Sequence, residues 1–426
     1  MLYIYMNNYR GFSNTLIPLN KCTFLVGENS TGKSSFLALL QLITRPDFWF
    51  FPRFDKTEDL QLNSFSDIVS ANSENLTFFD VGIINVSLKK NGSYDLDVAI
   101  NRFIEQNTMP TIATHFQLQA GKETHIRFNK KDTQYLVEPS PPSFETETTA
   151  LEYFWHRLHA LNDATDFKSL PQSFPPNPPL AVALSLIRAI ESGEKPKLNE
   201  FKAEIPMAID LTWIAPIRTR PKRIYEGFSR DYSAEGEHSP FVLKRNLKSK
   251  KFADRLAAFG DASGLFETVI THTFGRGERN PFEVLIRLRG TNLNINNVGY
   301  GVSQALPLVV EFLAREKGRT FAVQQPEVHL HPRAQAALGG LLFELAVERE
   351  HSFLVETHSD YLIDRFRTEM SRSENPPKAQ VLFFARTEKG NTVTPIEIAQ
   401  SGQYPKDQPK AFREFFINEE MLLLSL

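Results

Sequence analysis

One short run near the start of the chain limits its folding more than any other feature. Gly27-Glu28-Asn29-Ser30-Thr31-Gly32-Lys33-Ser34 fits G-x-x-x-x-G-K-[ST]. The pattern works when a strand feeds it and a helix leaves it, because successive backbone N–H groups and the positive end of the helix then converge on an anion. Both flanks are present. Cys22-Thr23-Phe24-Leu25-Val26 is an apolar run of strand length, and 34–44 carries Phe36, Leu37, Leu39, Leu40 and Ile43 before Pro46 stops the helix. In that setting Gly27 and Gly32 let the backbone wrap a phosphate chain, and Asn29, Ser30 and Thr31 offer N–H groups. Lys33 reaches the β and γ phosphates, and Ser34 offers a hydroxyl to Mg2+. The run alone indicates a nucleotide phosphate and leaves the chemistry that follows open.

The remaining pattern extends this start into an α/β fold. Strands are predicted at 2–6 and 15–19, and short alternating segments over 60–100 predict an antiparallel layer with a turn at Asn91-Gly92. Residues 101–206 read as an inserted, mainly helical lobe, with helices at 149–160 and 181–192, a hairpin pair and a proline-rich stretch at 170–179. From 207 to 400 strands and helices alternate: helix 303–317, strand 320–323, helix 332–349, strand 353–356, helix 361–370. That alternation predicts a parallel sheet with crossover helices, and a hairpin at 381–385 and 393–398 follows it. The expected domains are therefore 1–100, the lobe 101–206, 207–400 and a tail 401–426 with Phe412, Phe415 and Phe416. The expected whole is a P-loop parallel sheet with an antiparallel β layer and the inserted lobe.

Composition removes several classes. At 426 residues and 41% hydrophobic content the chain can bury a large core. Its single cysteine, Cys22, cannot form an internal bridge and lies in an apolar run, where a buried, unreactive thiol in a reducing cytoplasmic setting is expected. No run of about 18 apolar residues offers a membrane span, so no membrane partner is expected. With a net charge of −2 no global field draws the chain to nucleic acid. Two local basic clusters, Arg218, Arg220, Lys222, Arg223 and Lys244, Arg245, Lys248, Lys250, Lys251, keep DNA open as a ligand against the plainer reading of a solvated face.

Four further runs fall in a telling order. They are Arg10-Gly11-Phe12 ahead of the glycine-rich run, Asn297-Val298-Gly299-Tyr300-Gly301-Val302-Ser303-Gln304, Gln324-Gln325-Pro326-Glu327-Val328-His329-Leu330-His331-Pro332, and Glu356-Thr357-His358-Ser359. Ala215-Pro216-Ile217-Arg218 with Pro221 and Tyr225 is a fainter fifth. In this order and spacing the chain resembles the ABC-type ATPases of the RecF, SMC and OLD group, in particular the stand-alone ATPase subunits of bacterial defence systems of the Septu, PARIS and retron-associated types.

The resemblance implies ATP and Mg2+ as cofactors, with Arg10 and Ser35 joining the glycine-rich run at the nucleotide. Gly299, Gly301, Ser303 and Gln304 would form a signature that meets the γ-phosphate held by a second copy, so that ATP glues a homodimer or higher homo-oligomer. The strand at 320–323 would end in the acidic pair of a Walker B element, but Gln324 and Gln325 stand there. An amide is neither anionic nor a base at neutral pH. Gln324 can accept from a metal-bound water, and Gln325 can orient water without taking its proton. Hydrolysis is thus expected to be slow unless Glu327 or a histidine substitutes, His358 being the γ-phosphate switch the resemblance implies. Gly299 stands where a serine is usual, removing one hydroxyl. A loop glutamine is not identifiable, with Gln61 a weak candidate. His329 and His331 could form a metal pair if extended, but the resemblance assigns them to a dimer-crossing loop.

The function so implied is an ATP-binding, slowly hydrolysing ATPase that dimerises around ATP and controls a separate effector, a nuclease or toxin, in anti-phage defence. No second acidic cluster in a strand–helix–strand pattern follows His358, which is why the effector is expected on another protein. The alternatives are a RecF-like DNA repair ATPase and a non-hydrolysing, ATP-dependent scaffold.

Overall fold

The computed structural model describes residues 1–56, 60, 62–71, 76–160, 165–172, 175–194, 209–216, 218–227, 231–275, 277, 280–412 and 414. Gln61, Ile217, Phe415 and Phe416 lie outside the described residues, as does the end of the expected lobe. In chain order the elements begin with β1 (Leu2–Asn7), β2 (Thr15–Leu19), β3 (Cys22–Gly27), α1 (Lys33–Ile43), α2 (Pro46–Phe50) and α3 (Phe65–Ile68). Next come β4 (Phe78–Leu88), β5 (Tyr94–Gln106), β6 (Met109–Gln119), β7 (Lys122–Phe128), β8 (Thr133–Pro139), α4 (Glu147–Ala160), β9 (Lys168–Ser169) and α5 (Leu180–Ser192). Then follow β10 (Leu211–Ile214), α6 (Ser239–Asn246), α7 (Lys250–Ser263), β11 (Thr268–Thr273), β12 (Phe282–Leu288), β13 (Thr291–Asn294) and α8 (Tyr300–Ala314). The chain continues through β14 (Thr320–Gln324), α9 (Pro332–Glu348), β15 (Ser352–Glu356), α10 (Asp360–Arg372), β16 (Ala379–Thr387) and β17 (Gly390–Ile398). Two compact units result: 1–19, 29–209 and 384–393 form the first, and 20–28, 210–383 and 394–426 the second.

The first unit is built on one antiparallel sheet in the order β2-β1-β4-β5-β6-β7-β8-β9. The stretch expected as a mainly helical insert contributes α4 and α5, and it also carries the sheet onward: β5 runs through position 101, and β6, β7 and β8 pair in sequence beyond it. These strands are hard to read because their buried positions include polar side chains. Asn101, His115 and Gln117 are all buried, with His115 Nδ1 2.7 Å from Asn101 Oδ1, so the alternation of apolar and polar residues breaks down. Phe116 pairs with His125, and Ile126 therefore faces the other way. Ala150 and Phe154 of α4 pack with Phe116, whereas Leu180, Ala183, Leu186 and Ile187 of α5 pack with Ile126, so the two helices cover opposite faces.

The second unit centres on a sheet in the order β10-β14-β15-β3-β16-β17, in which β10, β14, β15 and β3 are parallel. Near-continuous apolar runs such as Phe321-Ala322-Val323 and Phe353-Leu354-Val355 suit a parallel sheet buried on both faces. Phe321 stacks on Phe353 at 5.5 Å, and Phe312 of α8 meets both edge-on. Helix α9 lies against α10 so closely that a Cβ at Gly339 would fall on the Leu362 carbonyl. A small antiparallel sheet, β11-β12-β13, completes the unit. Among the described residues no helix is long and apolar enough to cross a membrane.

Candidate functional site

The glycine-rich run joins the end of β3 to the start of α1. Its backbone takes the left-handed turns that the pattern requires, with φ of 149° at Gly27, 61° at Ser30 and 98° at Gly32. Gly32 also has no room for a side chain: a Cβ there would fall on the Phe12 ring and lie 2.9 Å from Asn391 Nδ2. The first turn of α1 closes with Phe36 N–H donating to the Gly32 carbonyl at 2.9 Å. Thr31 and Lys33 are buried, Ser34 is half-buried, and Asn29 and Ser30 are exposed.

Arg10-Gly11-Phe12 supports this loop within the first unit. Arg10 Nε donates to Ser35 Oγ at 2.9 Å and Nη1 donates to the Asp67 carbonyl at 2.6 Å, while the Tyr9 hydroxyl donates to the Ser35 carbonyl at 3.2 Å. The Asn391 amide holds the Arg10 carbonyl at 3.1 Å. Arg10 and Ser35, both expected at the nucleotide, are thus bonded to each other. At the other side of the run, Cys22 is fully buried and its thiol is pushed up to about 12 by that burial, which keeps it unreactive.

In the second unit the parallel strands bring together Gln324, Gln325, Glu327, Glu356 and His358. Gln324 ends β14 and stands in register with Glu356, the last residue of β15. Its Nε2 donates to Glu356 Oε2 at 3.1 Å, and its Oε1 is buried with no hydrogen-bond partner. Gln325 has φ of 41°, and its N–H donates to the Glu356 carbonyl at 2.8 Å. That left-handed backbone is uncommon for a residue with a long side chain and turns the chain sharply after the strand. Glu327 accepts from the His358 N–H at 2.7 Å through Oε1, and its Oε2 is buried without a partner. Burial pushes the Glu327 carboxyl above the ordinary carboxylate range, against the opposing pull of the His358 N–H and of Arg218. His358 itself is exposed.

Arg218 departs from the surface role its basic neighbours suggested. It is 1% exposed, its Nη2 donates to the Gln324 carbonyl at 3.3 Å, and burial pushes its guanidinium down to about 10. Arg220, Lys222 and Arg223 stay exposed. Arg218 and Glu356 are the two residues that sequence reasoning passed over as members of this cluster. The available signals were the apolar run ahead of Arg218 and the place of Glu356 at the carboxyl end of the neighbouring strand.

The expected signature lies at the start of α8, with Gly299 as its N-cap residue. Gly299 is exposed and a Cβ there would meet nothing within 4 Å, whereas at Gly301 a Cβ would lie 2.9 Å from the His329 carbonyl. Ser303 Oγ donates to the Tyr300 carbonyl at 2.7 Å, and Gln304 is buried. His329 packs its ring edge-on to Tyr300 at 4.7 Å, and His331 Nδ1 accepts from the Arg333 N–H at the start of α9 at 3.3 Å, so the two imidazoles have separate local partners. Ser34 belongs to the first unit, and Gln324, the other residue assigned to Mg2+, to the second. The unpartnered Gln324 Oε1 is a group that fits a metal-bound water.

A family described as "AAA domain, putative AbiEii toxin, Type IV TA system" matches residues 22–364. No curated protein matches the chain. Similar solved structures include an SMC head bound to the C-winged helix domain of ScpA, at 12% identity over 94% of this chain and 98% of that one, with a TM-score of 0.46. The SMC head domain from Thermotoga maritima is similar at 12% identity over 93% and 98%, with a TM-score of 0.38. The Smc head domain with an extended coiled coil, bound to the C-terminal domain of ScpA derived from Pyrococcus furiosus, is similar at 13% identity over 99% and 100%, with a TM-score of 0.44.

Proposed function

The chain belongs to this AAA-domain family, and from that membership we propose that it is an ATP-binding, slowly hydrolysing ATPase of the ABC type that dimerises around ATP and controls a separate effector in anti-phage defence. The observation that carries nucleotide binding is the run from β3 into α1, with left-handed turns at Gly27, Ser30 and Gly32 and no space for a side chain at Gly32. The open N-terminus of α8 at Gly299 supports the sandwich of two copies, since an uncapped helix start of this kind attracts a phosphate. The toxin–antitoxin description of the family supports a place in a defence or toxin–antitoxin system.

Slow turnover follows from the groups available. Gln325 orients water without accepting its proton, and Glu327, anchored through one oxygen with the other unpartnered, is the carboxylate left to act as base. Ser34 and Gln324 are the residues assigned to Mg2+, which when bound with ATP neutralises phosphate charge. ATP turnover measured together with oligomer mass tests this reading. Lys33→Ala is expected to abolish assembly and turnover, Gln325→Glu to raise turnover, and Glu327→Gln to lower it by about 10²–10⁴-fold. Brisk wild-type turnover unaffected by Glu327→Gln would overturn the assignment of the base, and a monomer at saturating ATP would overturn the dimer.

A further inference from the structure

We infer that Glu356, at the end of β15, supplies the negative charge of the Mg2+ site that Gln324 at the end of β14 does not, with Gln324 serving as its amide partner. The inference rests on the ATP and Mg2+ reading above and names a residue of that same site.

Register makes the pairing direct. Gln324 stands beside Glu356, and Glu356 in turn stands beside Leu25 of β3, two residues before that strand ends at Gly27, where the phosphate run begins. The carboxyl ends of three parallel strands thus lie in a row, the place where open α/β sheets bind ligands. Both side chains are held firmly, Gln324 at 4% exposure and Glu356 at 5%. The hydrogen bond at 3.1 Å settles which way the amide points, because its oxygen turned toward the carboxylate would set two acceptors against each other.

This orientation leaves Gln324 Oε1 as a buried acceptor without a donor. Buried polar atoms are rarely left so, and a water in a metal shell is a donor that would satisfy it. An acid at position 324 would instead face the Glu356 carboxylate at hydrogen-bond distance. Two like charges that close in a buried place cannot both ionise, and one would take up a proton. The amide removes that conflict: the pair keeps one full negative charge, carried by Glu356 and oriented by Gln324. Gln324 therefore marks a transfer of the acidic function to the neighbouring strand rather than its loss.

The test reads metal dependence without turnover. A fluorescent, non-hydrolysable ATP analogue is titrated into the full chain with Mg2+ and with a chelator, and Mn2+ binding is followed by electron paramagnetic resonance in the presence of the analogue. In the wild type Mg2+ tightens nucleotide binding. In Glu356→Gln that gain is expected to fall about 10–100-fold, with Mn2+ binding weakened in parallel. The exchanged pair Gln324→Glu with Glu356→Gln restores one carboxylate and one amide and is expected to recover most of the gain. A folded Glu356→Gln with the full wild-type gain would overturn the inference and leave the ATP reading intact. Should Glu356→Gln fail to fold, the exchanged pair decides, since a folded double variant without the Mg2+ gain overturns it equally. A wild type that binds no nucleotide would overturn the ATP reading and this inference with it.

Discussion

Two glycines two positions apart in one motif face opposite constraints, although the sequence writes them alike. Gly299 caps α8 with open space around its α-carbon, whereas Gly301 presses on the His329 carbonyl. Serine is a preferred N-cap residue and differs from glycine there by a few tenths of a kcal/mol. Gly299→Ser is therefore expected to match or slightly exceed the wild type in stability and, on the proposed sandwich of two copies, to strengthen ATP-dependent assembly by adding a hydroxyl. Gly301→Ala meets a fixed backbone oxygen at 2.9 Å. Overpacking costs about 1–3 kcal/mol, more than the roughly 1 kcal/mol that alanine gains over glycine in a helix, so that variant should be destabilised. Denaturant unfolding of both variants checks the contrast, and equal stabilities would contradict it.

Among elements, α4 is tied to the antiparallel sheet by a buried charge cluster that no motif announces. Glu123 of β7 is fully buried, accepts from Arg157 Nε at 2.6 Å and from the Tyr153 hydroxyl, and Arg157 also bonds Glu138 of β8. Burial pushes the Glu123 carboxyl up, but His125, Tyr153 and Arg157 outweigh it and hold the group below its ordinary value. Removing the cation strands a buried carboxylate, which typically costs about 3–5 kcal/mol. Arg157→Met is expected to destabilise the first unit by that order, and adding Glu123→Gln to recover part of the loss. Urea unfolding followed by Trp155 fluorescence would show it. An undiminished midpoint in Arg157→Met would mean that helix and sheet are held by the Phe154 contacts alone.

At the scale of the whole molecule, each unit buries a histidine that must stay neutral. His115 in the first unit is pushed down from 6.5 to about 3 by burial, reinforced by nearby His125, and His351 in the second to about 4 by burial and the Arg349 charge. For both, the unfolded chain binds a proton that the folded chain refuses between about pH 6.5 and the depressed value, so stability falls as pH drops through that window. The melting temperature of the full chain should decline from pH 7 to pH 4.5, with a flatter decline in His115→Gln and in His351→Gln. A pH-independent melt over that range would refute the assignment. Much of the architecture was legible beforehand: the phosphate run with its strand and helix, the alternation from 303 to 370 and the order of the motifs all rest on local periodicity and turn chemistry. Beyond the antiparallel layer expected over 60–100 and the hairpin pair expected in 101–206, the length and continuous pairing of β5 to β8 escaped because Asn101, His115 and Gln117 occupy buried positions, where only the paired neighbours make a polar side chain tolerable. The sequence by itself determined where a phosphate-binding turn must form, since that depends on residues adjacent in the chain. Only the tertiary structure decided that Arg218 is buried behind Gln324, that Glu327 hangs from the His358 N–H, and that Glu356 stands beside Gln324, because the packing of the strands brings together residues separated by 31 positions or more.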